Sequence, residues 1–292
     1  LEKVPMTIIS FDRAVDYYDE TRGFLPGVAE QIRDVILSHT GAAKTTRFLE
    51  LGIGTGRIAL PFLEAGYDYD GVDISIPMMA KLDEKLSQLA ARPNKPHGTA
   101  RCLLLQADVT HPLPLKSASY DILIAVHVFH LIQNWQALVR ESHRVLKQKG
   151  WLLISTDDWA ARDHAPEKHP SDADTEVNEQ WNAILHDLGF NRNAARPFNR
   201  ASDDDLRAFL ETLGARTEIV ELLEYARPAI TARQAAARIT GRMYSSDWYL
   251  PDEIHAQAAQ RLDQWINTVC TNPDASSQGQ VSFCVLAASW GR

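Results

Sequence analysis

From Gly41 onward, short apolar runs alternate with longer stretches whose apolar residues recur every three or four positions. The first pattern suits strands covered on both faces and the second suits helices that bury one side. Their order predicts an α/β fold, a doubly wound, mostly parallel sheet with helices on both faces. Candidate strands are Arg47–Leu51, Tyr69–Val72, Arg101–Gln106, Tyr120–Val126 and Trp151–Ser155. A helix over Gly56–Ala65 is expected to be kinked by Pro61. Ser75 can cap the next helix, with Pro77 in its first turn and Met79, Leu82 and Leu86 along one face. Asn134 can cap a third, in which Leu138 and Val145 share a face and which Gly150 can end with a left-handed turn.

The alternation stops at Thr156. Residues 157–200 are polar, rich in Asp, His and Pro, with one helix-like piece near Glu179–Leu188, and they read as an inserted lid. Ser202 and Asp205 make a capping box for DDDLRAFLETLG, and Thr217–Leu223 reads as a strand. A long helical stretch over Ala229–Cys270 then leads to a final strand, Val281–Ser289. No dedicated linker separates two halves. The expectation is one domain over 1–292, with a cofactor-binding core at 41–156 and lid insertions at 157–200 and 229–272.

Composition narrows the class. The chain is 45% hydrophobic and 23% charged, as a folded globular protein is. Its 30 basic and 38 acidic residues leave a net charge of -8, which argues against a broad face for nucleic acid. Cys102, Cys270 and Cys284 are scattered with no CxxC pair, which argues against a zinc ribbon or a disulfide framework and fits the reducing cytoplasm. No apolar run is long enough to span a membrane, so no membrane partner is expected.

The densest chemical signal is FLELGIGTGR at residues 48–57, where a candidate strand ends in Gly52, Gly54 and Gly56 and opens into a helix. Glycines there let backbone approach a ligand closely. A dinucleotide fingerprint needs a small residue at the position that Arg57 occupies, and Glu50 just upstream suits a cationic ligand better than a pyrophosphate. S-adenosylmethionine, with its sulfonium and ammonium groups, is such a ligand.

Further motifs follow in order: YDGVDIS, LLLQADVTHPLP, SYDILIAVHVFHLIQNW and ALVRESHRVLKQKGWLLIS. With ELGIGTG they make the chain resemble the class I S-adenosylmethionine-dependent methyltransferases, in their small-molecule branch, over roughly Phe11–Ser155. The resemblance implies a Rossmann-like methyltransferase fold, seven-stranded with the last strand antiparallel and with a helical lid. It implies that Gly52, Gly54 and Gly56 line the methionine moiety, with Glu50 acting nearby through water. By the same resemblance Asp73 bonds the ribose hydroxyls and Ile74 packs on the adenine. Asp108 then accepts from the exocyclic amine, Val109 supplies a backbone N–H, and backbone at Ala125 and just beyond faces the transferred methyl. Upstream, FDRAVDYYDETRG resembles the segment that closes over the cofactor, which implies that Tyr18 and Arg22 approach it; Arg22 could pair with the methionine carboxylate. One departure is Lys149 before Gly150, where the family usually has paired glycines.

His127 and His130 are the candidate catalytic residues. An imidazole near a bound hydroxyl could act as general base, and His127 is preferred over His130 for substrate contact; packing under the cofactor, or capping the next helix, is the structural alternative. Two histidines three apart with no third ligand do not make a zinc site, so no metal is expected. His164 and His169 read as parts of a solvated loop. Trp159, Trp181, Trp248 and Tyr249 could wall a pocket or be plain core, and Cys102 and Cys284 read as small buried hydrophobes within strands. The reading is methyl transfer from S-adenosyl-L-methionine to a small-molecule acceptor. The alternatives are a nicotinamide-dependent oxidoreductase, or a non-catalytic protein that binds the cofactor.

Overall fold

A computed structural model describes residues 9–91, 100–155, 172–191 and 202–291. His164, His169, Trp159 and most of the first proposed lid lie outside the described residues. In chain order the main elements are α1 (Tyr18–Arg22), α2 (Val28–Thr40), β1 (Arg47–Leu51), α3 (Ala59–Glu64), β2 (Asp68–Asp73), α4 (Ile76–Ala90), β3 (Leu104–Gln106), β4 (Tyr120–Val126), α5 (Trp135–Val145) and β5 (Leu146–Ser155). Then come α6 (Ala173–Asp187), α7 (Asp203–Thr212), β6 (Arg216–Ala226), β7 (Ile230–Thr231), α8 (Ala232–Thr240), α9 (Asp252–Thr268), β8 (Ser276–Ser277) and β9 (Gln280–Ser289). They group into two compact units, one within Leu1–His164, Arg200–Glu224 and Ser282–Arg292, the other within Ala165–Asn199 and Tyr225–Val281.

The first unit carries a seven-stranded sheet of order β3-β2-β1-β4-β5-β9-β6. Strands β1 to β5 pair in parallel, and β9 runs antiparallel to β5, with Trp151 opposite Ser289. Strand order reverses between β1 and β4, so the chain leaves these neighbours in opposite directions. Side chains alternate along β1 and divide the core. Phe48 packs on Phe62 of α3 at 4.9 Å and stacks on Tyr69 of β2 at 5.5 Å. Leu49 and Leu51 on the other face join Leu138 and Val139 of α5 and Leu206 and Leu210 of α7. Helices therefore cover both faces, as the double periodicity predicted.

Arg47–Leu51 and Tyr120–Val126 form strands with the expected ends. Several local expectations need correction. Strand β3 is shorter than Arg101–Gln106 because the N–H groups of Arg101 and Leu103 donate to the Asp68 and Asp70 carboxylates, not to a ladder. Cys102 consequently precedes β3 and is only half-buried, while Cys284 is buried inside β9 as expected. Pro61 does not kink α3; the helix starts at Ala59, which puts the proline in the first turn where its missing N–H costs nothing. Asn134 precedes α5 with no side-chain cap, and its carbonyl accepts the first helical bond from Leu138 instead. The left-handed residue after α5 is Lys149, at φ 68°, and not Gly150. Gly150 is small for another reason: a Cβ there would stand 2.9 Å from the Lys147 carbonyl oxygen and 3.1 Å from that of Asp121.

Ser202 does cap α7, accepting from the Asp205 N–H, but its own hydroxyl turns to the Asp205 carboxylate, so the box is not reciprocal. The reciprocal capping box belongs to Thr231 and Gln234 at α8. Ala229–Cys270 is two helices, not one, with Gly241 ending the first and Pro251 preceding the second. In the second unit α6, which begins at Ala173 and not near Glu179, packs on α8 and α9 around Val177, Trp181, Ile239, Leu262 and Ile266. Trp181 is thus core, its indole N–H donating to buried Asp247 at 3.1 Å. Trp248 and Tyr249 are half-buried, and the Trp248 indole donates to the Arg242 carbonyl. Among the described residues no helix is long and apolar enough to cross a membrane, and no group of three or more ligating side chains could hold a metal.

Candidate functional site

Strand β1 runs straight into the glycine turn. The N–H groups of Gly52 and Ile53 both donate to the Val72 carbonyl, at 2.7 and 3.1 Å, which folds the turn back on β2. Gly52, Gly54 and Gly56 all have positive φ (71°, 53° and 79°), a region that side chains resist. The space beside them differs. A Cβ on Gly52 would collide with Val128, and one on Gly56 with Leu82 of α4. One on Gly54 would meet only ordinary contacts, the nearest being Met78 Cε at 3.6 Å. Gly71, opposite Glu50 in β2, likewise makes room for the Ile53 side chain.

Asp73 closes the end of β2 against this turn. Its Oδ2 accepts the Gly54 N–H at 2.8 Å and its Oδ1 the Ser75 N–H at 2.8 Å, with Ile74 N–H adding to the field. Burial pushes this carboxyl above its ordinary value against the pull of those donors. Ile74, next along, is half-buried.

Glu50 is 3% exposed, and its Oε2 accepts the Tyr69 hydroxyl at 2.9 Å. Burial raises its pKa from 4.5 to about 8, overriding the Tyr69 bond and the nearby Arg57 charge. At neutral pH Glu50 is protonated, so the fixed carboxylate expected from the sequence is a conditional one. A further cation placed alongside would lower that value.

The N-terminal segment lies on the same turn. Asp19 Oδ1 accepts the Thr55 hydroxyl at 2.5 Å, and its Oδ2 pairs with Lys85 Nζ of α4 at 2.6 Å. The Lys85 ammonium also donates to the Thr55 carbonyl at 3.0 Å. Ser75 donates to Asp12 at 2.5 Å, and Arg57 donates to the Arg22 carbonyl at 2.8 Å while covering the Phe24 ring. Tyr18 sets its ring edge-on to Phe11. The element carrying Tyr18 and Arg22 therefore sits against the glycine turn.

One strand outward, Asp108 follows β3. Its Oδ1 caps the Thr110 N–H at 2.9 Å and its Oδ2 meets His111 Nδ1 at 2.9 Å, so both oxygens already have partners within their own turn. Val109 packs partly buried against the core. On the other side of the strand-order reversal, Ala125 is fully buried between Leu51 of β1 and Ile154 of β5. His127 then leaves β4 with φ 58° while its N–H donates to the Ser155 carbonyl at 2.9 Å. The His127 and His130 rings stand edge to face, 6.3 Å apart. Open α/β sheets bind ligands at the carboxyl ends of the strands where the order reverses. The turn after β1, Asp73, Asp108 and His127 all lie along that edge.

Tyr69, Thr55, Lys85, Asp19, Asp12, Val128 and His111 were not singled out in the sequence. Each acts through a partner distant in the chain or through a side chain's reach. The exception is His111, three residues from Asp108 within one turn.

A parallel sheet whose first strand ends in a glycine turn, whose second ends in an acid bonded to that turn, and whose antiparallel last strand lies between the fifth and sixth defines the Rossmann-like methyltransferase fold. Residues 49–154 match the family described as a methyltransferase domain. It is 28% identical over 152 residues to an uncharacterised methyltransferase of Geobacillus sp. (strain WCH70), a match covering 51% of this chain and 62% of that one. The chain thus spans less than two thirds of that relative's length. The YcgJ protein of Bacillus subtilis has a similar fold, with TM-score 0.55, 18% identity, and coverage of 90% of this chain and 98% of that one. So has a Haemonchus contortus phosphoethanolamine N-methyltransferase solved with phosphomonomethylethanolamine and S-adenosylhomocysteine (TM-score 0.53, 17% identity, 96% of this chain, 58% of that).

Proposed function

We propose that this chain transfers the methyl group of S-adenosylmethionine to a small-molecule acceptor. The observation that carries the reading is the pairing of Asp73 with Gly54 on a left-handed glycine turn, beside a buried acid whose pKa a further cation would lower. The donor set suits that cofactor: a glycine turn in the left-handed region, and two carboxyls of different depth. The bound cofactor supplies an activated methyl on a cationic sulfur, so the protein's task is to hold the acceptor in line and exclude water.

In this reading Gly52, Gly54 and Gly56 carry the methionine part with Glu50 answering its positive charge, and Asp73 holds the ribose hydroxyls. Ile74, Asp108 and Val109 form the adenine pocket, with Asp108 keeping its His111 partner while a free lone pair accepts the amine. Backbone from Ala125 onward borders the methyl, and Tyr18 and Arg22 close over the cofactor. His127 takes the acceptor's proton where one must leave, with His130 behind it. The insertions at 157–200 and 229–272 select the acceptor, and the reaction belongs to the reducing cytoplasm. Isothermal titration with S-adenosylhomocysteine tests the core of this. Micromolar binding, lost in Asp73→Ala, is expected; no heat at millimolar ligand would end the proposal.

A further inference from the structure

Three contacts join parts of the chain that local folding does not bring together. Asp19 belongs to α1, Thr55 to the glycine turn and Lys85 to α4, and each bonds the other two. The acid accepts from a hydroxyl and an ammonium, and that ammonium also donates to the backbone carbonyl of the same threonine. An exposed ion pair alone contributes little. This one is anchored on Thr55, which is 1% exposed, and charge-assisted bonds held on a rigid support are the stronger kind. Asp12 on Ser75 and Arg57 on the Arg22 carbonyl fasten the same segment on either side. Thr55 lies between Gly54 and Gly56, and Asp19 lies between Tyr18 and Arg22. Whatever the turn holds is therefore covered by a segment that this triad keeps down.

We infer that Lys85 and Asp19 are positioning residues that latch the N-terminal segment onto the glycine turn and thereby set how fast the cofactor enters and leaves. The inference rests on the cofactor reading above for its kinetic part. Opening the latch frees α1 while leaving the turn's own bonds to Val72 and Asp73 intact, so it changes exchange rates more than equilibrium affinity.

The test uses the full chain with Lys85→Met, Asp19→Asn, both together, and the charge-retaining Lys85→Arg. Stopped-flow exchange of S-adenosylhomocysteine should show association and dissociation each accelerated about tenfold in either single variant, the size expected for one lost charge-assisted bond. The double variant should go no further, and Lys85→Arg should restore wild-type rates. Hydrogen exchange of ligand-free protein should show residues 18–24 losing protection in the same variants. Unchanged rates with unchanged protection, or additive effects in the double variant, would overturn the latch. Lost protection with unchanged rates would overturn its control of exchange. If the wild type binds no S-adenosylhomocysteine, the cofactor reading falls, and the ligand-free exchange data still decide whether the latch exists.

Discussion

The carboxylate of Asp73 accepts the N–H of Gly54 at 2.8 Å, tying the end of β2 to the turn that follows β1. The same carboxylate takes the Ser75 N–H, so one side chain shapes the glycine turn and the start of α4 together. Asn in its place has one acceptor oxygen for two backbone donors. Asp73→Asn is expected to weaken S-adenosylhomocysteine binding at least tenfold and to lower stability by about 1–2 kcal/mol, a typical loss for a charge-assisted bond. Calorimetric titration and urea unfolding measure the two effects separately.

Glu50 makes stability depend on pH in an unusual direction for an acid. Its pKa rises from 4.5 to about 8 on folding, so between those values the folded chain keeps a proton that the unfolded chain has lost. Its contribution is complete below pH 4.5 and is lost as pH rises towards 8, at up to roughly 1.4 kcal/mol per pH unit. Ligand-free wild type should therefore lose more stability from about pH 5 to about pH 7.5 than Glu50→Gln does. Binding of the cationic cofactor should show the opposite slope, tightening with pH in wild type and flat in the variant. Parallel urea curves for the two proteins would refute the assignment.

The three glycines of the turn should respond differently to alanine. At Gly52 and Gly56 a methyl group meets Val128 and Leu82 as well as an adverse φ, and losses of about 2–4 kcal/mol are expected. At Gly54 only the φ of 53° opposes it, so about 1 kcal/mol should be lost while binding suffers most. Urea midpoints and cofactor titration would expose a reversed order.

His127 holds φ 58°, a conformation that glycine adopts freely. His127→Gly relieves that backbone strain, so it should be more stable than His127→Ala, which loses the same side chain and keeps the strain. If the imidazole serves the acceptor, the glycine variant should lose most methyl transfer with cofactor affinity preserved. A variant that is stable and fully active would make the histidine a purely structural choice.

What was readable from the chain alone was whatever neighbouring residues settle among themselves. Strands β1 and β4 have the ends that apolar runs predict, and Ser75 caps α4 as its sequence suggests. The motif residues at strand ends were legible because a strand, a turn and a helix N-terminus are local events. The misread positions share a cause. Lys149, not Gly150, turns left-handed; the Arg101 and Leu103 N–H groups go to Asp68 and Asp70; a break between Gly241 and Pro251 divides what periodicity made continuous. Each was decided by a partner that packing brings in, or by competition between partners. The same holds for the site. Sequence alone determined that an acid precedes the glycine turn, that Asp73 ends β2 and that a histidine follows β4. Only the tertiary structure decided that Glu50 is buried enough to hold its proton, that Val128 and Leu82 occupy the room two glycines leave, and that Asp19 reaches Thr55 and Lys85, because burial and contact depend on distances in space that chain order does not contain.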